Sequence, residues 1–335
     1  MNHSSLNKPF LSVLMPVYNC ETYLAEAIES ILNQTYSNFE FIIINDGSSD
    51  GSERIINSYN DDRVRYIKNE KNLGLITTLN NGIELSKGDY ILRMDADDFS
   101  YPERFEKQVL FMQMNHDIDL SGTWFLKSDR INKNTNPTTF EACKLNLINN
   151  SVLCHPSVIF RKASIVNANI KFNPIALHAE DYQFWIDTVK AGLKISNLPE
   201  VLLNYRIHPM QISSAKKEIQ RNTVNTIRLD YAKFIFGDII ETNKEAYIQL
   251  IDESALDYNS YNEAKKLAFR LLESNLKEKK LNQKGLKLLF DKHSRNIVTN
   301  ILMENNKDFY FLSKVIFDRN FYTKTNFKKI FSFKN

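Results

Sequence analysis

Short apolar runs alternate with helical patterns along the first third of the chain. Over residues 10–124 the runs read FLSVLMP, CETYLAEAIESILNQ, FEFIIIN, SERIINSY, VRYI, LITTLNNGIELS and YILRMD. This alternation predicts βαβ units in a mostly parallel sheet. The strands LSVLM and FEFIIIN are apolar almost throughout, as expected when helices cover both faces of the sheet. We therefore expect an α/β sandwich whose ligand site lies beyond the carboxyl ends of the strands.

The pattern changes twice further along the chain. Residues 121–206 mix loops with short strands such as SVIFR and VLLNYR and one clear helix, AEDYQFWIDTVKAG. The polar stretch KSDRINKNTNPTT, residues 127–139, is typical of a mobile surface loop. Beyond Ser213 the pattern is helical and contains no proline. The sequence thus predicts an α/β domain over residues 1–212 and a helical region over residues 213–335.

Composition and charge narrow the class of protein. The chain has 335 residues, 25% of them charged, and a net charge of +3, a balance that does not favour nucleic-acid binding. The start, MNHSSLNKPF, lacks an apolar signal region, and no run approaches the roughly 18 apolar residues of a membrane span. We therefore expect a cytoplasmic protein. The cysteines are few, odd in number and widely spaced, which favours reduced thiols: Cys20, Cys143 and Cys154.

Three carboxylates follow the strand YILRM directly. Asp95, Ala96, Asp97 and Asp98 fall at the carboxyl edge of the predicted sheet. Packed anions repel each other, and Mg²⁺ or Mn²⁺ with oxygen ligands is their natural partner, bridging them to a substrate diphosphate. The alternative is a solvated acidic turn that caps a helix beginning near Pro102. The position directly behind a buried strand favours the metal site.

Two other strand ends carry candidate nucleoside ligands. The first strand ends in residues that offer an aromatic face and an amide, namely Pro16, Val17, Tyr18 and Asn19. After the second strand, Asp46 in the loop NDGSSDG is suited to accept the imide N–H of a uracil ring. Ser49 or Asp50 in the same loop is suited to cap the helix that follows. Binding a nucleoside and capping the helix are compatible roles for this loop.

Glu180 and Asp181 open the helix AEDYQFWIDTVKAG, where the positive end of the helix dipole favours a carboxylate. A carboxylate held there is suited to remove the proton of a hydroxyl nucleophile as a general base. The alternative is an ordinary acid in the first turn of a helix.

His208 follows the strand VLLNYR. Its neutral imidazole is suited to complete a metal shell or to contact a diphosphate, although a single histidine is more often a loop or core residue. His155, in CHPSVIFR, is a weaker candidate of the same kind.

Taken in order, these strings resemble glycosyltransferase family 2, the inverting GT-A enzymes. The matching pieces are MPVYN (15–19), NDGSSDGS (45–52), GDYILRMDADD (88–98), AED (179–181) and YRIHPMQISS (205–214). Spaced residues between them match as well, namely Asn72, Gly74, Asn80 and Gly82. The combination is far more specific than any one piece, and it covers about the first two-thirds of the chain.

The resemblance implies roles for the matching positions. A nucleotide-sugar half over residues 10–125 would hold the donor through the following residues: Pro16, Val17, Tyr18, Asn19, Asp46, Asn72, Asp95 and Ala96. Mn²⁺ or Mg²⁺ would lie on Asp95 and Asp97, with His208 as a further candidate ligand. The acceptor half, residues 126–212, would supply Asp181 as the base, with Glu180 as the alternative.

The resemblance also implies a reaction and its substrates. It implies transfer from a UDP-sugar to a glycan or glycolipid acceptor with inversion at the anomeric carbon. The stretch from AEDYQFW to YRIHPMQISS looks most like lipooligosaccharide β-1,3-N-acetylglucosaminyltransferases, which use UDP-GlcNAc. Donors of glucose or galactose for capsule and O-antigen remain alternatives. A pyrophosphorylase would need a Gly- and Arg-rich first loop instead of PVYNCETY, and a non-catalytic binder would need no base.

The C-terminal stretch FYFLSKVIFDRNFYTKTNFKKIFSFKN interleaves aromatic residues with lysines. Such a segment is suited to lie on an anionic membrane surface, at the inner face of the cytoplasmic membrane. It is equally suited to form a closing helix whose aromatics pack on the protein.

Overall fold

A computed structural model of the protein describes residues 8–128, 133–208, 217–255 and 257–304. The chain divides into two compact units at the junction of Ile227 and Arg228. The domain boundary predicted between residues 212 and 213 lies outside the described residues, as does the basic aromatic stretch that begins at residue 309.

The first unit alternates strands and helices from its start. Its strands are β1 (Leu11–Val17), β2 (Phe39–Asn45), β3 (Val64–Lys68), β4 (Tyr90–Arg93), β5 (Phe99–Ser100), β6 (Leu120–Lys127), β7 (Lys133–Asn134), β8 (Ile159–Arg161) and β9 (Ile195–Tyr205). Its helices are α1 (Leu24–Leu32), α2 (Ser52–Ile56), α3 (Leu75–Leu85), α4 (Arg104–Met114), α5 (Phe140–Asn146), α6 (Lys162–Asn167) and α7 (Glu180–Lys190).

These strands form one sheet in the order β3-β2-β1-β4-β8-β6-β9-β5, with β7 paired to β6. The strands β3, β2, β1 and β4 are mutually parallel, and β6 runs parallel to β9. The short strand β8 lies antiparallel between β4 and β6. The prediction of an α/β fold with a mostly parallel sheet is confirmed.

The register of the parallel strands brings the candidate residues to one edge of the sheet. Val17 at the end of β1 pairs with Asn45 at the end of β2, and Leu14 pairs with Arg93 at the end of β4. All seven positions of β1 and of β2 are buried, because helices cover both faces. The loops that follow these strands therefore emerge side by side.

The predicted mobile loop at residues 127–139 differs in part from the structure. Lys127 still belongs to β6, and Lys133 and Asn134 form β7 against it. Trp124 in β6 explains this pairing, because its indole N–H donates to the carbonyl of Asn136 at 2.9 Å. The ammonium of Lys133 also lies 4.2 Å from the centroid of the Trp124 ring. Residues 129–132 lie outside the described residues.

The second unit is helical, as predicted. Helix α8 (Lys217–Phe236) leads into it and is followed by α9 (Lys244–Ile251), α10 (Tyr258–Glu278) and α11 (Gln283–Glu304). Helix α10 begins with a capping box, in which the Asp257 carboxylate accepts the N–H of Ser260 at 2.8 Å. Within the described residues, none of the helices combines the length and apolarity that spanning a membrane requires.

Candidate active site

The three aspartates after β4 form a compact acidic cluster. One carboxylate oxygen from each of Asp95, Asp97 and Asp98 lies within 4.8 Å of the others. Asp98 is only 1% exposed, and its Oδ2 has no hydrogen-bond partner among the described residues. Burial, together with the charges of Asp95 and Asp97, raises the pKa of Asp98 well above its usual range. Hard oxygen ligands held this close, one of them lacking a donor, fit a divalent cation.

These aspartates do not cap the helix that follows them. Helix α4 has no side-chain hydrogen bond at its N-cap. Asp98 Oδ1 instead accepts the backbone N–H of Arg206 at 2.8 Å, and Asp97 Oδ2 lies 2.9 Å from His208 Nε2. The arrangement disfavours the interpretation as a solvated capping turn. Ala96, between two of the acids, is buried.

The segment that leaves β9 is fixed on the acidic cluster. The Arg206 guanidinium donates from Nε to the carbonyl of Asp97 at 2.8 Å and from Nη2 to Glu26 Oε2 at 2.5 Å. It also lies 4.6 Å from the centroid of the Tyr23 ring, and the His208 ring lies 5.0 Å from the same ring. The imidazole of His208 is therefore held against Asp97, where it orients that carboxylate.

Replacing His208 by Ala is expected to weaken Mn²⁺ affinity, because Asp97 loses the partner that orients it. Partners of this kind contribute about 10–100-fold to metal affinity. Calorimetric titration with Mn²⁺ and UDP measures the effect, and His208→Gln serves as the control because its amide can still donate to Asp97. Equal Mn²⁺ affinity in His208→Ala and the wild type would indicate that His208 is an ordinary loop residue.

Asp46 holds the loop that precedes α3. Its carboxylate is 3% exposed and accepts the backbone N–H of Leu73 at 2.9 Å and that of Gly74 at 2.9 Å. The side-chain amide of Asn69 donates to it at 2.8 Å, while Asn72 accepts a second contact from the N–H of Gly74. Sequence reasoning missed this role in fixing the loop. Contact of Asp46 or Asn72 with a nucleoside stays a prediction, and one acceptor position on Asp46 Oδ2 remains for it.

Gly47 allows the loop after β2 to pack on the loop before α3. Its φ is +71°, and an added Cβ would lie 2.6 Å from the backbone nitrogen of Asn72 and 2.6 Å from the carbonyl carbon of Lys71. Backbone atoms at this distance leave no room for a side chain.

Replacing Gly47 by Ala is expected to lower the thermal unfolding midpoint and to weaken UDP binding, because the two loops must separate. Gly192→Ala is the matched control: its φ is +82°, but nothing lies within 4 Å of an added Cβ. The control therefore carries only the cost of positive φ, roughly 1 kcal/mol of unfolding free energy. Calorimetric titration should show weaker UDP binding by Gly47→Ala than by Gly192→Ala. Equal UDP affinity in both variants would contradict the role of Gly47 in packing the two loops.

The residues at the end of β1 include buried ones that support the fold and one exposed aromatic ring. Pro16 and Val17 are buried in the strand, and Tyr18 is 53% exposed. Asn19 has a φ of +50°, and its Oδ1 accepts the backbone N–H of Ser49 at 2.8 Å. The amide of Asn19 thus links the loops after β1 and β2, while the ring of Tyr18 is free to stack on a base. That contact stays a prediction.

The two acids of α7 differ in their surroundings. Glu180 is 9% exposed, and burial together with the charge of Asp181 raises its pKa to about 7. Burial also raises the pKa of Asp181, whose Oδ2 receives a contact of 3.4 Å from Ser151 Oγ. Ser151 Oγ in turn accepts the indole N–H of Trp185 at 3.1 Å. No pattern in the sequence indicates this Trp185–Ser151–Asp181 chain, because Ser151 lies 30 residues before Asp181 and 34 residues before Trp185.

A buried guanidinium links the acids of α7 to the acidic cluster. Arg93, the last residue of β4, forms an ion pair with Asp95, and its side chain is 4% exposed. Its positive charge opposes the effect of burial on the pKa of Glu180, of Asp181 and of Asp98. Both groups of acids therefore lie within electrostatic reach of one cation. Sequence reasoning missed Arg93.

The segment that enters α7 is fixed to α3. The amide of Asn80 donates to the carbonyl of Phe172 at 2.9 Å and accepts the N–H of Phe172 at 2.9 Å. The Phe172 ring stacks on Phe184 with a centroid distance of 4.4 Å. His155 packs on Phe172 and Trp185, and burial keeps its pKa well below the usual range. His155 is therefore a partly buried packing residue, which disfavours it as a candidate metal ligand.

Comparison with solved structures finds a protein with the same fold. The structure of Staphylococcus aureus TarS, residues 1–349, in complex with UDP-GlcNAc matches with a TM-score of 0.59. The match covers 89% of this chain and 93% of that chain at 16% sequence identity, and it therefore supports the fold alone.

Comparison with known sequences identifies the family. An uncharacterized glycosyltransferase of Haemophilus influenzae is 34% identical over 251 residues, which cover 70% of this chain and 76% of the relative. The Escherichia coli UDP-Glc:alpha-D-GlcNAc-diphosphoundecaprenol beta-1,3-glucosyltransferase WfaP is 27% identical over 214 residues, covering 64% and 84%. Residues 12–168 match the model of glycosyl transferase family 2. With its GT-A fold and its acidic cluster behind β4, the chain belongs to glycosyltransferase family 2.

Proposed function

We propose that the protein transfers a sugar from a UDP-sugar to a hydroxyl of a glycan or glycolipid acceptor, with inversion at the anomeric carbon. The observation that carries this proposal is the arrangement around Arg93. The acidic cluster lies behind β4, and the positive charge of Arg93, which pairs with Asp95, also lowers the pKa of Glu180 and of Asp181 against the effect of burial. A metal-diphosphate site and a base are the two parts that such a transfer requires.

The chain's residues supply distinct parts of this reaction. Tyr18 offers a stacking face to the uracil, and Asp46 accepts its imide N–H while keeping the loop before α3 in place. Asp95 and Asp97 would hold the divalent cation, which when bound neutralises the charge that develops on the departing diphosphate. Asp181, oriented by Ser151, takes the proton of the acceptor hydroxyl. As that O–H bond breaks, the acceptor oxygen bonds to the anomeric carbon and the carbon–oxygen bond to UDP breaks.

The donor we favour is UDP-GlcNAc, with β-1,3 transfer to a terminal galactose of a lipooligosaccharide, O-antigen or capsule glycan. The stretch from residue 179 to residue 214 supports it by its resemblance to enzymes of that specificity. The fold shared with a protein solved in complex with UDP-GlcNAc is consistent with the same donor. The alternative is a UDP-glucose or UDP-galactose transferase of polysaccharide synthesis, which the name of the Escherichia coli relative favours.

A panel of sugar nucleotides tests the proposal. The full chain is incubated with UDP-GlcNAc, UDP-glucose or UDP-galactose, with Mn²⁺ or Mg²⁺, with and without a galactose-terminated acceptor, and released UDP is measured. The expected result is metal-dependent release that the acceptor accelerates for one donor above the others. GDP-mannose serves as the control for the nucleotide part of the donor. Preference for GDP-mannose would overturn the assignment of UDP, and release that is insensitive to EDTA would overturn the metal assignment.

We also propose peripheral association with anionic membranes through the C-terminal basic aromatic stretch that begins at residue 309, which lies outside the described residues. Its lysines and aromatic residues support the proposal, and such association would suit an enzyme whose acceptor is lipid-linked. Co-sedimentation with anionic vesicles compares the full chain with a chain that ends at Leu312. Equal sedimentation of the two would refute the idea.

A further inference from the structure

Helices α10 and α11 of the second unit pack on each other and are joined by a turn of only four residues, 279–282. Asn275, which is 1% exposed, fixes this turn: its side-chain amide donates to the carbonyl of Leu281 and accepts the N–H of Leu281, each at 2.9 Å. The turn begins with Lys279, whose φ of +53° is one that glycine usually adopts at the end of a helix. The fixed turn therefore holds a lysine in a backbone conformation that disfavours a side chain.

Positive charge is concentrated around this turn. Residues 265–295 contain ten Lys and Arg against three Asp and Glu, a net charge of +7, whereas the whole chain has a net charge of +3. Three lysines at the turn are exposed and form no ion pair with any residue that the structure describes, namely Lys277, Lys279 and Lys284. Because like charges repel, a cluster of this kind opposes folding unless an anionic partner binds to it.

Large apolar side chains are exposed on the same two helices. Leu276 is 58% exposed beside the turn, and Leu288 is 59% exposed in the second turn of α11. Phe269 is 63% exposed and lies seven residues before Leu276, so the two side chains share one face of α10. A single exposed apolar residue is ordinary on a protein surface. Apolar side chains set among lysines are instead typical of helices that lie in a membrane interface.

We propose that this end of the helix pair is a docking surface for an anionic lipid membrane. Its lysines bind the lipid headgroups, and Leu276 and Leu288 insert between them. Anionic headgroups attract lysines held near the membrane surface, and the acyl chains beneath them accept apolar side chains. The surface goes beyond sugar transfer, because it would hold the protein at a membrane whichever donor the enzyme uses.

Charge favours this partner over two others within reach. A second copy of the same surface carries the same positive charge. The C-terminal stretch from residue 309 onward also repels it, because that stretch contains six Lys and Arg against one Asp. The exposed apolar side chains favour lipid over a nucleic acid, whose backbone presents only phosphates and sugars. The docking surface and the C-terminal stretch are thus separate segments that suit the same anionic membrane.

Co-sedimentation of the full chain with lipid vesicles tests the docking surface, without donor or acceptor. Vesicles of phosphatidylcholine and phosphatidylglycerol are compared with vesicles of phosphatidylcholine alone. Lys277→Gln/Lys279→Gln is expected to bind the anionic vesicles about 25-fold more weakly, because each lysine near an anionic surface contributes roughly five-fold. Leu276→Ser is expected to weaken binding by about 10-fold, the contribution of one leucine side chain removed from water.

Two variants of the first unit serve as matched controls. Lys107→Gln/Lys194→Gln removes the same total charge from exposed lysines that pair with Glu200 and Asp117. Met114→Ser removes an apolar side chain that is 72% exposed. Both controls are expected to bind anionic vesicles as tightly as the wild type.

Weaker binding by the lysine and leucine variants, with wild-type binding by both controls, supports the docking surface. Equal binding by Lys277→Gln/Lys279→Gln and the wild type overturns it, as does a wild type that sediments equally with both kinds of vesicle or with neither. A lower oligomeric state of Leu276→Ser in size-exclusion chromatography would assign the surface to a second copy and overturn it as well. Sugar transfer does not enter this comparison, and truncation at Leu312 is not part of it. Failure here is therefore distinct from failure of the proposed function or of the C-terminal stretch.

Discussion

Asp97→Ala is expected to abolish metal-dependent binding of UDP and to reduce turnover by more than about 100-fold. The variant removes one of the three carboxylates whose oxygens lie within 4.8 Å of each other. Each of the two that remain already uses one oxygen for a protein partner, since Asp95 pairs with Arg93 and Asp98 accepts the N–H of Arg206 through Oδ1. Loss of an outer partner of a metal ligand already costs about 10–100-fold in affinity, and loss of a ligand costs more.

Calorimetry with UDP in the presence and absence of Mn²⁺ measures this effect. Asp89→Ala is a suitable control, because Asp89 lies just before the same strand, at the opposite edge of the sheet, where it accepts the N–H of Phe10. It removes the same charge far from the acidic cluster and should leave Mn²⁺ binding intact. Wild-type affinity of Asp97→Ala for UDP with Mn²⁺ would count against the metal assignment.

The sequence predicts the half of the fold that local patterns determine. The strands β1, β2 and β4 are mostly apolar and end in polar turns, so both their positions and their common edge follow from the pattern. The acids behind β4 and the loop around Asp46 could be identified for the same reason. The half with β8, β6 and β9 is less regular, because β8 has only three residues and β6 shifts register against β9. Alternation carries little information in strands so short or irregular.

The contacts that orient the candidate residues could not be predicted. Asn80 bonds to Phe172 across 92 residues, and His208 reaches Asp97 across 111 residues. Such pairs depend on how helices and loops meet in three dimensions, and a single sequence contains no periodic signal for them. Arg93 illustrates the limit. Its charge ends a mostly apolar strand two residues before an acid, but no sequence pattern indicates that this charge also acts on Glu180 of α7.

The two acids of α7 are expected to respond differently to pH and to substitution. Burial raises the pKa of Glu180 from 4.5 to about 7, so its ionised form costs folding free energy. Below 4.5 the carboxyl is protonated in both folded and unfolded chains, and the cost is absent. It grows as the pH rises to about 7 and then stays constant. Glu180→Gln should therefore raise the thermal unfolding midpoint at a pH of about 8 and leave it unchanged at a pH of about 4.

Asp181→Asn is expected to spare UDP affinity and to lower turnover by about 100- to 10,000-fold, the share that a positioned base supplies. The amide keeps the shape of the side chain and can still accept from Ser151 Oγ, so only proton removal is lost. Calorimetry with UDP and Mn²⁺, together with single-turnover rates of transfer, separates binding from chemistry. Glu180→Gln is the matched control in the same helical turn, and it should retain more turnover than Asp181→Asn.

If transfer by Asp181→Asn stays near the wild-type rate while Glu180→Gln loses transfer activity, Glu180 is the base. In that case its pKa of about 7 would give the rate a rising limb across neutral pH.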